Sequence, residues 1–256
     1  MRACLILTVL TATLIGSRNA HADWVDARRA GPFRVYAEFQ LDRYDWIFEA
    51  VQEQRADVGT TLGLKPNDSP IVICLFASHA SYVRYVAKHA PAGANRRALF
   101  VKGEDAGFVY VYRHSGFETD LRHEVTHAIL HSMLPFLPLW LDEGLAEYFE
   151  VRGNRRAAAN PHHSRMKWAS RLGWKPNLAR LESREQLSDF TAADYRESWA
   201  WVHFLLHGSK EGNQLLRSYL ATIQRERPPG PLSGHLNRVF SDPRSQLTRH
   251  LRSWKR

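Results

Sequence analysis

Two histidines four residues apart enclose a glutamate in the stretch His123-Glu124-Val125-Thr126-His127. On a helix, residues i and i+4 stand one above the other on a single face, so two imidazole nitrogens are offered to one metal ion. Glu124 falls one position further round, beside such an ion and not on it. This is the spacing of a zinc hydrolase in which the carboxylate is general base to a water that the ion activates. A catalytic zinc takes three protein ligands and keeps one position open, so a third donor must stand nearby. Pro135 and Pro138 break the chain, and Leu139-Trp140-Leu141-Asp142-Glu143-Gly144-Leu145-Ala146-Glu147-Tyr148 restarts a helix. Glu143 and Glu147 lie one turn apart on this otherwise apolar segment, where buried carboxylates are costly without a cation. Glu143 is the chosen third ligand.

HEVTH followed by LWLDEGLAEYF resembles the gluzincin (peptidase MA-like) metallopeptidases over about residues 117–150. The resemblance implies zinc ligands His123, His127 and Glu143, with Glu124 as general base. It also implies that Glu147 orients a ligand histidine through that ring's distal nitrogen. In the related aminopeptidases a tyrosine on a later helix, with a small residue three positions on, stabilises the oxyanion. Tyr195 with Ser198 resembles that pattern, and His203 is the alternative for the same role. The sequence departs from the family twice. Fifteen residues separate His127 from Glu143, fewer than in the large aminopeptidases, which implies a short connection and a minimal scaffold. No Gly-x-Met-Glu-Asn stretch is present, which weakens an exopeptidase reading.

The elements that must position these side chains follow from periodicity. Phe33, Val35, Ala37 and Phe39 alternate with polar residues and predict a half-buried strand over Pro32 to Phe39. Ile47, Val51, Val58 and Leu62 suit a helix from about Asp42 to Leu62, ended by Gly63 and Pro66. Ile71 to Phe76 reads as a buried strand. Ser78 caps a short helix bearing Tyr82, Val83, Tyr85 and Val86. Arg97 to Lys102 and Phe108 to Tyr112 form a hairpin across Gly103 to Gly107. Ser115 and Glu118 match a capping box for the helix that carries His123 and His127 to about His131. The fold class is α+β. A small mixed sheet in residues 23–116 leads into a mainly helical zinc-binding subdomain in residues 117–256. Phe108 to Tyr112 is expected at the sheet edge, where its free backbone groups would pair with an extended substrate and favour an endopeptidase.

Later segments read as helix or connection. Asn154 to Arg171 is polar, and His162-His163 is expected in a solvated loop or helix start. A short helix is expected near Leu178 to Leu181. A strong helix from Tyr195 to Leu206 carries Tyr195, Trp199, Val202 and Leu206 as an apolar stripe, with Gly208 as its cap. His203 and His207 repeat the four-residue spacing but have no following glutamate and no acidic partner segment, so His207 is read as a favourable residue at the helix C-terminus, with a second metal site as the alternative. Gln214 to Gln224 is a further helix. The basic amphipathic tail is expected to pack Leu236, Val239, Phe240, Leu247 and Leu251 onto the helical half.

Composition bounds the compartment and partners. The 256 residues are 44% hydrophobic and 24% charged, an ordinary globular balance with material for one sizeable core or two small subdomains. The formal charge of +9 suits weak association with anionic envelope surfaces, but the basic residues are scattered, so nucleic acid is not expected as a partner. Arg2, the apolar run Ala3 to Ile15 and Ala20-His21-Ala22 read as a signal segment cleaved after Ala22, with an uncleaved anchor as the alternative. The expected location is therefore periplasmic or extracellular. Cys4 leaves with that segment, and Cys74 stays alone in an apolar strand, so no intrachain disulfide is expected. Three functional readings compete: an exported zinc peptidase acting on peptide or protein substrates, a cell-wall peptide amidase with the same site, and a non-enzymatic envelope-binding module.

Overall fold

The computed structural model describes residues 24–93 and 95–254. The signal segment expected over residues 1–22, with Cys4, lies outside them. The chain forms two compact units: one takes the chain through Ala56 and Pro66–Ser132, the other Asp57–Lys65 and Met133 onward. The architecture is mixed α+β, with an N-terminal five-stranded sheet and a mainly helical remainder. No described helix is long and apolar enough to cross a membrane.

Through the first unit the order is β1 (Asp26–Ala30), β2 (Phe33–Ala37), α1 (Trp46–Leu62, of which the part from Asp57 belongs to the second unit), β3 (Ile71–Phe76), α2 (His79–His89), β4 (Ala98–Lys102), β5 (Gly107–Tyr112) and α3 (Phe117–Met133, whose last residue belongs to the second unit). The sheet runs β1-β2-β3-β5-β4, parallel between β2 and β3 and between β3 and β5, antiparallel at both flanks. β5 therefore lies between β3 and β4, and the edge position expected for Phe108 to Tyr112 is not what forms. The reason is burial on both faces: Val109 and Val111 are fully buried on one, and Tyr110 is buried on the other. A strand apolar on both sides belongs inside a sheet. Among the described residues, β4 and β1 are the outer strands.

β1 was not anticipated. Its sequence, Asp-Ala-Arg-Arg-Ala, has no β-branched residue, and its pairing with β2 across Gly31 at φ 59° recruits it. Cys74, Phe76 and Tyr110 share one sheet face with the Tyr82, Tyr85 and Val86 side chains of α2. Each such side chain contributes roughly 1.5–3 kcal/mol when fully buried. Ser78 caps α2 as expected, its Oγ accepting from Ser81 N at 3.2 Å. The opposite face receives α3. A Cβ placed on Gly107 would stand 3.7 Å from the Ala128 Cβ. The buried Gln54 amide of α1 donates to Arg122 O and to Thr126 Oγ1, both at 2.6 Å, and fastens the two helices together. α3 begins at Phe117, one residue beyond the start a Ser115 cap would give, and Gly116 N donates to His114 Nδ1 at 3.0 Å.

In the second unit the order is α4 (Leu139–Phe149), α5 (Arg156–Ala159), α6 (Pro161–Arg171), α7 (Leu178–Glu182), α8 (Ala192–His207), α9 (Lys210–Gln224), α10 (Leu232–Val239) and α11 (Pro243–Ser253). α8 opens on a capping box between Thr191 and Asp194 and is buried on nearly every side. A helix apolar all round belongs at the centre of a bundle. α4 packs tightly along it. α10 and α11 bury Leu236, Phe240, Leu247 and Leu251 as expected, whereas Val239 is 45% exposed. Gly208 stands at the end of α8 with an ordinary helical φ of −73°, so it does not act as a left-handed cap. A Cβ there would lie 2.6 Å from Phe204 O, and close approach is what requires glycine.

At Gly144 the α4 backbone approaches α8 closely. A Cβ on it would meet Ser198 O at 2.7 Å and Val202 Cγ2 at 2.9 Å. Backbone cannot move aside cheaply, so Gly144→Ala is expected to destabilise the protein by roughly 1–3 kcal/mol, the usual cost of overpacking a core. Thermal unfolding followed by circular dichroism checks this; an unchanged or raised Tm would show that the two helices are free to separate.

Candidate metal centre

α3 supplies the paired histidines of the first unit. Their ring centroids are 5.0 Å apart, as the four-residue spacing requires, and His127 is buried while His123 is half-buried. Glu124 between them is 9% exposed. The Phe100 ring of β4 stacks on His127 at 6.2 Å with planes 18° apart, and on His131 at 5.4 Å. Phe100 thus limits the rotation of the His127 ring. His131, one turn beyond His127, stacks on the same phenyl ring. On another side of α3, the Gln54 contacts to Arg122 O and Thr126 Oγ1 hold the turn from which these side chains project.

α4 supplies the acidic residues of the second unit. Glu143 is 4% exposed on a helix whose neighbours Trp140, Leu141, Leu145 and Ala146 are fully buried. Glu147, one turn on, has its Oε2 2.8 Å from His162 Nε2. The carboxylate can only accept, so the imidazole donates. The solvated loop or helix start expected for His162 is the first turn of α6, where the side chain is 17% exposed. The signal that could have found it is Asn160-Pro161: Asn160 caps α6 by accepting from His162 N, and Pro161 occupies the first turn. His163 is buried beside Trp199 and His203.

Tyr195 lies near the start of α8, half-buried, its ring edge-on to Phe190 at 5.3 Å. Its alternative, His203, is corrected by the structure. His203 is fully buried, Nε2 is 2.9 Å from Ala157 O, and Nδ1 is 2.9 Å from His250 Nε2. Both ring nitrogens are engaged, so His203 has none to offer a substrate. His207 Nε2 is 2.8 Å from Tyr148 Oη.

Among the described residues, His123, His127 and Glu143 form one group of donors that could hold a metal ion, and His123, Glu147 and Glu150 form another. The first is two imidazoles and a carboxylate, the nitrogen and oxygen donors that zinc takes. Two of its three members are buried.

No family model matches the sequence, and no curated protein matches it. Among solved structures, the chain is similar to a point mutant of the M1 zinc metallopeptidase from Deinococcus radiodurans at 16% identity, with a TM-score of 0.49. It is also similar to the M1 zinc metallopeptidase from the same organism at 16% identity, with a TM-score of 0.42. Each alignment covers 91% of this chain and 52% of the other, so the chain spans about half the length of the structures it matches.

The His203 contacts fix a pH dependence. Ala157 O can only accept, so His203 Nε2 carries the proton, and a neutral His203 then accepts at Nδ1 from His250 Nε2. Burial, the largest cause, lowers the pKa of His203 to about 3 and that of His250 to about 4. Both folded values lie below the unfolded value of about 6.5. The unfolded chain therefore takes up these protons first as pH falls, and stability is lost from about pH 6.5 downward. For two histidines, moving from pH 7.5 to 5.5 is expected to cost about 2–3 kcal/mol. Urea unfolding at the two pH values checks it. His250→Gln, which keeps a donor toward His203, is expected to halve the loss; an unaltered loss would show that these rings are not the groups responsible.

Proposed function

We propose that this protein is a zinc-dependent metallopeptidase in which His123, His127 and Glu143 hold the ion and Glu124 is the general base. The observation that carries this reading is the donor group itself, with a nearly buried carboxylate between its two histidines on one helix. When bound, the ion would supply Lewis-acid polarisation and make a water acidic enough to lose its proton near neutral pH. Glu124 would receive that proton on its carboxylate and deliver it to the leaving nitrogen. The Tyr195 hydroxyl would donate to the developing oxyanion. Phe100 would hold the His127 ring in the orientation that ligation needs, through the stacking described above. Glu147 would orient a ligand histidine.

Export, with cleavage after Ala22, belongs to the same proposal and places the substrates among peptides or proteins outside the cytoplasm. The endopeptidase preference cannot rest on β5, which is paired on both sides. It rests instead on β4, an outer strand of the described sheet, whose Phe100 ring stacks on His127 of the ligand helix. An intact Glu124 favours an enzyme over an envelope-binding module, because a binder has no use for a general base.

The purified chain is expected to carry about one zinc, lost in His123→Ala, His127→Ala and Glu143→Ala, since a three-ligand site does not survive as two. Glu124→Gln is expected to keep the zinc and lose peptide hydrolysis by about a hundredfold or more. Metal analysis with a quenched-peptide library reads both. Full zinc retention in Glu143→Ala would overturn the ligand assignment, and unchanged turnover in Glu124→Gln would overturn the base.

A further inference from the structure

His162 and Asn160 both reach the same residue of α4. His162 Nε2 holds Glu147 Oε2 at 2.8 Å, and Asn160 Nδ2 donates to Glu147 O at 2.8 Å. Glu147 lies in the last turn of α4, where backbone carbonyls have no partner within the helix. Asn160 supplies one, while its own Oδ1 accepts from His162 N at 2.8 Å. Asn160 is fully buried, and the His162 and Glu147 side chains are 17% and 14% exposed. Pro161 fixes φ between the two gripping residues.

The strap is anchored from behind as well. Ala157 O, three residues before Asn160, accepts from His203 Nε2 and from Trp254 Nε1 at 3.0 Å. The His162 ring stands edge-on to the buried Trp199 at 6.0 Å. A glutamate normally keeps three rotatable bonds and loses entropy when it is fixed. Here the fixing has been done before any ligand arrives, by residues that do not themselves belong to either donor group.

We propose that His162 is a positioning residue for the metal centre. It acts through Glu147, clamping one carboxylate oxygen so that the other is presented in one orientation, one helical turn from Glu143. Asn160 and Pro161 are the seat that holds His162 in place. This inference rests on the zinc reading given above and adds to it a residue from a separate helix, which neither the HExxH spacing nor the acidic segment indicated. Partners that orient the ligands of a metal typically change its affinity by 10–100-fold.

The test measures zinc affinity of the full chain by competition with a chromogenic chelator, in wild type, His162→Ala, His162→Gln, Glu147→Ala and the His162→Ala/Glu147→Ala double variant, with a thermal melt of each apoprotein. Zinc affinity in His162→Ala is expected to fall about tenfold. His162→Gln, which retains an N–H donor, is expected to recover part of that loss. In the Glu147→Ala background, His162→Ala is expected to have no further effect, a coupling that a general loss of structure would not produce. Unchanged affinity in His162→Ala, or an equal loss with and without Glu147, overturns the positioning role while wild-type zinc binding leaves the metal reading standing. Failure of the wild type to bind zinc overturns the metal reading and this inference together. If His162→Ala does not fold, the Gln variant and its coupling to Glu147→Ala decide the question.

Discussion

Ionisable side chains held away from water must be answered by an opposite charge or by hydrogen bonds, because an isolated buried charge costs several kcal/mol. Glu124, His127 and Glu143 are all less than a tenth exposed, and the elements around them are arranged under that constraint. In the first unit, α3 keeps its apolar residues Leu121, Val125 and Ile129 in the core and so commits its remaining face to His123 and His127. In the second unit, α4 is apolar nearly throughout, and its acidic residues are supported from α6. The placing of these donors is thus a folding property. The helices are stabilised by hydrophobic packing, and that packing fixes donors that water would otherwise disperse.

Much of this was legible in the sequence where one period dominates. β3, the β4–β5 hairpin, α1, α3 and α8 follow from alternation, helical spacing and their flanking glycines and prolines. The failures have separate physical causes. β1 is polar and forms only because β2 offers an edge beyond the Gly31 turn. The position of β5 depends on which strands lie beside it, and sequence order does not encode that directly. Its unbroken run Phe-Val-Tyr-Val-Tyr was nevertheless the sign of burial on both faces. α6 was obscured by its own composition, since His162, His163, Arg165 and Lys167 read as a solvated stretch. Asn160-Pro161 was the local evidence against that reading.

The candidate site shows the same division. The pairing of His123 with His127 was legible from spacing, because the geometry of one helical turn is nearly context-free, whereas Glu143 was suggested by its acidic segment and by resemblance. The supports of the site were not legible, because they come from contacts distant in sequence: Phe100 onto His127, Gln54 onto Arg122 and Thr126, His162 onto Glu147. None of these residues carries a motif. Each is an ordinary side chain whose role appears only when the fold brings it beside a donor.

The two histidine pairs of this chain make the limit of spacing explicit. His123–His127 and His203–His207 have the same separation and similar ring distances, 5.0 and 4.8 Å. What differs is the chemistry that reaches them. His203 faces a carbonyl oxygen and a third histidine, and burial depresses its pKa, so its nitrogens are satisfied within the core and the ring stays neutral. His207 is met by a tyrosine hydroxyl. The partners of these two rings are a carbonyl, a hydroxyl and another imidazole, whereas Glu143 joins the donor group of His123 and His127. An i, i+4 histidine pair therefore specifies only that two rings share a helix face. A carboxylate makes that face a cation site, and carbonyls and hydroxyls make it part of the core.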